Sequence, residues 1–229
     1  MPPADHPDSN SCPFSPPKGG DFPGALIVFE GIDGSGKTTA ARNAACHFAE
    51  LGWETAFLKE PTDGPEGLRL RERMVSGEPR NAELEFQLFL SDRTRHVKEQ
   101  IKPVLERGGL VFLDRYYISS MAYQGALGLD MDMIRRENEK IAVRPDVILY
   151  FQVPLEMALE RISTNRPAGF NSFENREYLS RVARNFGRMR FNQWVNINAA
   201  EPQASVQDNV IRTITKILQG KSHRNIGQL

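Results

Sequence analysis

Cysteine is nearly absent: Cys12 and Cys46 are the only two in 229 residues. Their spacing matches no metal-ligand pattern, which argues against a disulfide scaffold and makes a reducing, cytoplasmic compartment the expectation. No apolar run approaches the roughly 18 residues a membrane-spanning helix needs. An excess of one charge is missing too, since 29 Lys and Arg balance 29 Asp and Glu. A neutral chain gains no bulk attraction to nucleic acid or to an anionic membrane, so neither is expected as a partner. Histidine is scarce, four in all: His6 and His223 near the ends, His47 and His96 within helical patterns. None is placed for general-base chemistry. The length suits one well-filled core rather than two enzymatic domains.

The opening stretch, MPPADHPDSNSCPFSPPKGGDFPG, is rich in Pro, Ser, Gly and Asp. It lacks the basic start and apolar run of a secretory signal, and it cannot bury enough surface to offset its ordering entropy. Residues 1–23 therefore read as a disordered tail, 24–219 as a single domain, and 220–229 as a flexible C-terminal tail. Within the domain, apolar runs at 25–30, 54–60, 109–114, 146–153 and 194–199 read as strands. Helical patterns fall at 37–51, 66–76, 81–107, 130–142, 155–164, 175–190 and 203–218. Alternation of this kind predicts an α/β three-layer fold, a five-stranded parallel sheet flanked by helices. NRPAGFNSFEN (165–175) interrupts the pattern with Pro, Gly and Asn and reads as a mobile loop, part of a lid at about 162–175. Ligands of such sheets bind beyond the carboxyl ends of the strands, so Asp33, Glu60, Asp114 and Arg115 should converge.

Gly31 to Thr38, GIDGSGKT, satisfies G-x-x-x-x-G-K-[ST] between a strand and a helix. In such a loop Gly31, Ile32, Asp33, Gly34, Ser35 and Gly36 turn backbone N–H groups toward a triphosphate, and the helix beginning at Lys37, Thr38 and Thr39 adds positive potential. Lys37 reaches the β- and γ-phosphates and the Thr38 hydroxyl ligates Mg²⁺, making ATP and Mg²⁺ the expected cofactors. No residue between Gly31 and Gly36 is basic, so a further cation must come from elsewhere in the chain. Arg161 and Arg166 are the candidates, Arg161 as a fixed partner of ATP and Arg166 as a catalytic cation in the loop; the alternative is that both are solvated surface arginines. Arg176, Arg181, Arg184, Arg188 and Arg190 read as a solvated helix face, with a nucleic-acid patch as the sharper alternative.

A second constellation, LDRYYISSMAYQG (113–125), starts at a strand end. Asp114 would face the metal side and Arg115 offers a planar grip on a phosphate, while Ser119, Ser120, Tyr123 and Gln124 follow along a helical face. DRYYISSMAYQ resembles the D-R-[YHW]-x-x-S-x-x-A-[YF]-Q signature of thymidylate kinases, and the phosphate loop, KEPT (59–62) and RPDVILYFQV fall in that family's order over about Ala25 to Leu218. The resemblance implies phosphoryl transfer from Mg·ATP to the 5′-phosphate of dTMP, with Lys37, Arg115, Arg166 and Asp114 catalytic and Thr38 and Asp114 on the metal. It implies an acceptor site of Asp33, Glu60, Pro61, Arg71, Phe89, Arg93, Arg115, Ser119, Ser120, Tyr123 and Gln124. Phe89 and Arg93, one helical turn apart, would stack on the pyrimidine and hydrogen-bond its edge, although without the resemblance core packing is the favoured reading of Phe89. Tyr123 would crowd the sugar 2′ position and favour deoxyribose.

The chain departs from the family pattern at Lys59, where an arginine is common, in the 62–72 stretch, and at Ser172, where a lid arginine often stands. These departures leave open a different nucleoside monophosphate as acceptor, or a binding module that has lost transfer. A nucleotide-dependent switch or nucleic-acid-associated ATPase is the alternative from another class. Relatives are commonly homodimers, and the stripe Phe86, Leu90, Val97, Ile101 and Val104 fits either a dimer face or core burial.

Overall fold

The computed structural model describes residues 15–16, 22–76, 79–165 and 172–226, the side chains of 165, 172–175 and 223–226 excepted. Strands β1 (Ala25–Glu30), β2 (Thr55–Lys59), β3 (Leu110–Asp114), β4 (Val147–Gln152) and β5 (Trp194–Asn198) alternate with helices α1 (Lys37–Glu50), α2 (Pro65–Val75), α3 (Ala82–His96), α4 (Lys102–Glu106), α5 (Tyr117–Ala126), α6 (Met131–Glu139), α7 (Leu155–Asn165), α8 (Ser172–Arg188) and α9 (Gln203–Ile226). The five strands form one parallel sheet in the order β2-β3-β1-β4-β5.

The uninterrupted apolar runs of β1 and β3 follow from burial on both faces. Alternate residues divide between two cores. Ala25, Ile27, Phe29, Phe112 and Leu149 pack with Ala41, Ala44 and Phe48 of α1 and Val210, Ile214 and Leu218 of α9. Leu26, Val28, Val111, Leu113 and Ile148 pack on the other face with α3, α5, α6, α7 and α8. The apolar stripe within 81–107 belongs to this second core: Phe86, Val97 and Ile101 are buried in it and Leu90 and Val104 pack against it.

Several boundaries differ from the sequence-based expectation. Helix α8 starts at Ser172, so the last residues of the stretch read as a loop over 165–175 are helical. The single helix expected over 81–107 contains a widened π turn at Val97–Ile101. It lies just ahead of Pro103, whose missing N–H and bulky ring disrupt a regular ladder at that point. Helix α9 runs to Ile226, well past the expected 218, and Lys221 Nζ there is 2.6 Å from Asp146 Oδ1. Asp146 in turn accepts from the Leu26 N–H at 2.9 Å, so this end of the helix is tied to the start of β1. Phe22, within the stretch read as tail, is seated in the first core edge-to-face with Trp53 at 4.9 Å. Residues 1–14, 17–21 and 227–229 of the expected tails lie outside the described residues, as does most of the 165–175 loop, Arg166 included. Among the described residues no helix is long and apolar enough to cross a membrane.

Candidate active site

The phosphate loop joins β1 to α1 through left-handed turns at Gly34 (φ 77°) and Gly36 (φ 86°). A Cβ on Gly34 would lie 2.4 Å from the Ala158 carbonyl oxygen, so only glycine lets α7 approach the loop this closely. Lys37 opens α1 and is 4 % exposed, its Nζ 3.3 Å from the Ile32 carbonyl within the loop. Burial, followed by the nearby Arg115 charge, pushes its pKa down to about 8. Between the loop and β5–α9 lies a cavity of about 420 Å³ lined by Gly34, Ser35, Thr39, Arg161, Ala199 and Gln207 among others. Ser35 Oγ and Gln207 Nε2 are buried there without a hydrogen-bond partner among the described residues. Arg161 donates to the Gly34 carbonyl at 3.4 Å and the Ala199 carbonyl at 3.2 Å, bracing the loop against this cavity.

At the end of β3, Asp114 is fully buried and its Oδ2 accepts from the Thr38 hydroxyl at 2.6 Å. Its other oxygen has no partner among the described residues. A buried, unsatisfied carboxylate oxygen beside a threonine hydroxyl at the mouth of a phosphate loop is a donor set that suits Mg²⁺. Lys59 Nζ approaches the same carboxylate at 3.5 Å from the solvent side.

Arg115 follows in a left-handed conformation, φ 73°, the one described non-glycine residue with positive φ. Its guanidinium lies across the phosphate loop, Nη2 donating to Asp33 Oδ1 at 2.8 Å and to the Tyr123 hydroxyl at 3.2 Å, Nη1 to Ser119 Oγ at 3.0 Å. The Tyr123 hydroxyl also accepts from the Asp33 N–H at 3.1 Å. Asp33, Arg115 and Tyr123 are thus brought together as the sequence predicts.

The residues expected on the acceptor side gather beyond β2. A cis Glu60–Pro61 bond turns the chain there. Glu60 is buried against Arg93, with Arg93 Nη2 2.6 Å from Glu60 Oε2, and against His96, whose Nδ1 lies 3.1 Å from Oε1. Arg93 also donates to Ser120 Oγ at 3.2 Å and to Asn138 Oδ1 and stacks over the Tyr116 ring at 5.4 Å. Phe89, one turn earlier, is half-buried and belongs to neither core, which leaves its ring available to a ligand. Gln124 is buried with its side-chain oxygen unpartnered among the described residues. Arg71 reaches the Pro61 carbonyl at 2.9 Å and Asp63 at 2.6 Å from a half-exposed position.

Several participants escape a sequence reading. Glu30 bonds to residues near 116–119; Asp92 accepts from the Thr62 N–H and hydroxyl at 2.8 and 2.5 Å; His96 and Asn138 complete the surroundings of Glu60 and Arg93. Glu30 carried one visible signal, a charge closing an otherwise apolar strand. Among the downstream arginines, Arg176 pairs with Glu156 of α7 and Arg181 Nη1 lies 3.6 Å from Glu177, while Arg184 and Arg188 are exposed.

A loop shaped for a polyphosphate, a guanidinium laid across it, and a second group of buried polar side chains behind that guanidinium are what transfer between two nucleotides requires. Fold and site together define a P-loop nucleoside monophosphate kinase. A sequence model of the family "Thymidylate kinase" matches residues 29–210. Among curated proteins the chain is 37% identical over 197 residues to a thymidylate kinase of Desulfotalea psychrophila, covering 86% of this chain and 97% of that one. It is 38% identical over 200 residues to a probable thymidylate kinase of Archaeoglobus fulgidus, covering 87% and 100%. A thymidylate kinase of Akkermansia muciniphila is 48% identical over 143 residues, covering 62% of this chain and 69% of that one. The chain belongs to the thymidylate kinase family.

Proposed function

We propose that this protein transfers the γ-phosphoryl group of ATP to the 5′-phosphate of dTMP, giving dTDP and ADP. The observation that carries the reading is Arg115, whose guanidinium spans the phosphate loop at Gly31 and Asp33 and the α5 face at Ser119 and Tyr123. An acceptor phosphate is already ionised at neutral pH, so no side chain has to remove its proton and alignment with charge neutralisation suffices. Lys37 and Arg115 neutralise the transferring phosphoryl and the acceptor phosphate. Thr38 and Asp114 would hold Mg²⁺, which when bound neutralises charge on the β- and γ-phosphates. Asp33 and Tyr123 face the acceptor sugar. Phe89 stacks on the base, with Arg93, Ser120 and Gln124 along its polar edge. ATP's base occupies the cavity beside Arg161 and Gln207.

The protein works in the cytoplasm as a homodimer, with neither nucleic acid nor membrane as partner; the exposed apolar side chains of α2, Leu68, Met74 and Val75, support a contact there. A coupled ADP-release assay with Mg·ATP against dTMP, dUMP, dGMP, dCMP and UMP tests the acceptor. Preference for dTMP is the expected result. Faster turnover with another monophosphate would reassign the pocket, and ATP binding without turnover on any would contradict the reading.

A further inference from the structure

Glu30 is the last residue of β1, fully buried directly beneath the phosphate loop, and no role given above uses it. Its carboxylate serves the start of α5. Oε1 accepts from the N–H of Tyr116 at 2.8 Å and of Ser119 at 3.1 Å, and Oε2 from the Ser119 hydroxyl at 2.5 Å. Tyr116 is the residue preceding the helix and makes no side-chain cap of its own. Glu30 therefore supplies from a neighbouring strand the acceptor that the first N–H groups of α5 need, and places a carboxylate at a helix N-terminus.

The consequence falls on Arg115. A non-glycine residue in the left-handed region persists only where its surroundings over-determine it. Here two successive residues of β1 do so: the Arg115 N–H donates to the Phe29 carbonyl at 3.0 Å, and the next N–H, that of Tyr116, donates to Glu30. The side chain is fixed through the same carboxylate. Ser119 has one hydroxyl hydrogen, and Glu30 takes it. The Ser119 oxygen is then left to accept from Arg115 Nη1 at 3.0 Å. Burial pushes the Glu30 carboxyl up to about 7 against these hydrogen bonds and the Arg115 and Lys37 charges, which marks how unfavourable the position is for a carboxylate serving packing alone.

We propose that Glu30 is a positioning residue for phosphoryl transfer, holding the Arg115 guanidinium across the phosphate loop through Ser119 and the first turn of α5. The proposal rests on the kinase reading above. It also moves Ser119 from touching the acceptor to acting through Arg115.

Glu30→Gln keeps the shape but replaces Oε2 with an N–H donor, so the Ser119 hydroxyl must turn its hydrogen elsewhere. Turnover should fall by about 10²-fold, the scale of a misplacement of the reacting groups by about 1 Å, with the KM for ATP nearly unchanged and the melting temperature close to that of the parent. Ser119→Ala should lower turnover in the same direction. The double variant should be no worse than Glu30→Gln, because both changes cut one chain of contacts. A crystal structure of Glu30→Gln should show the Arg115 guanidinium displaced from Ser119 and Asp33. Turnover of Glu30→Gln within about twofold of the parent, losses that multiply in the double variant, or an Arg115 left in place in the variant crystal would each overturn the proposal. The crystal readout stands even if the parent protein proves to transfer no phosphoryl group, so failure of the kinase reading and failure of this inference are told apart.

Discussion

Lys37 is buried at the base of the loop, and burial with the neighbouring Arg115 charge lowers its pKa from 10.5 to about 8. The ammonium is the form that attracts phosphate. Below about pH 8 the empty site already holds it, and affinity should not change with pH on that account. Above about 8 the empty protein has given up the proton, and a bound polyphosphate must draw it back. Affinity for metal-free ATP should therefore fall by up to about tenfold per pH unit above 8. Calorimetric titration across that range checks it, and a flat profile would contradict it. At the acceptor side, Phe89→Ala should raise the KM for dTMP by about tenfold or more, as loss of an aromatic stacking contact does, while leaving the KM for ATP nearly unchanged. An equal rise in both would remove the stacking role. Phe89 also shows what a sequence can and cannot carry. Its place one turn before Arg93 was visible, but only the packing separates a ring kept out of both cores from one inside them.

The elements meet at the buried pair of Arg93 and Glu60. Arg93 comes from α3, Glu60 from the end of β2, Ser120 from α5 and Asn138 from α6. Removing one member of such a pair leaves the other charge uncompensated. Arg93→Met should cost about 3–5 kcal/mol of stability, read from urea unfolding, besides weakening dTMP binding. A loss below about 1 kcal/mol would show that Glu60 finds adequate partners without it. This network was only half legible. Glu60 and Arg93 sit in recognisable motifs, whereas nothing local marks Asn138, since its bond to Arg93 spans 45 positions. Glu30 is a stronger case, with partners 86 and 89 positions away. The strands β1 and β3 were legible because burial on both faces demands unbroken apolar runs, whereas the order of the strands within the sheet was not. The π turn at Val97–Ile101 was not, because hydrophobic period and propensity look the same through a single widened turn.

At the scale of the whole molecule, the carboxyl ends of β1, β2 and β3 bring Glu30, Lys59 with Glu60, and Asp114 to one end of the sheet, as the parallel topology requires. The far end of the molecule is closed differently from the reading of the sequence. Of two residues assigned to tails, Phe22 packs in the first core and Lys221 pairs with Asp146, because an isolated aromatic and the last turns of an amphipathic helix carry little signal by themselves. The exposed apolar residues of α2 lead to a prediction about assembly. Light scattering should give a particle of twice the 25.8 kDa chain mass, and Val75→Asp should shift it toward the monomer. A monomer at micromolar concentration would contradict the dimer.

If two nucleotides meet at Arg115, a phosphoryl group passes directly between them. Phosphorus NMR of a mixture of Mg·ATP, dTMP and protein follows every phosphate at once. ADP and dTDP signals should grow together, with inorganic phosphate negligible, and Lys37→Ala should abolish both. Inorganic phosphate growing with ADP while dTMP stays unchanged would mean hydrolysis and would contradict direct transfer.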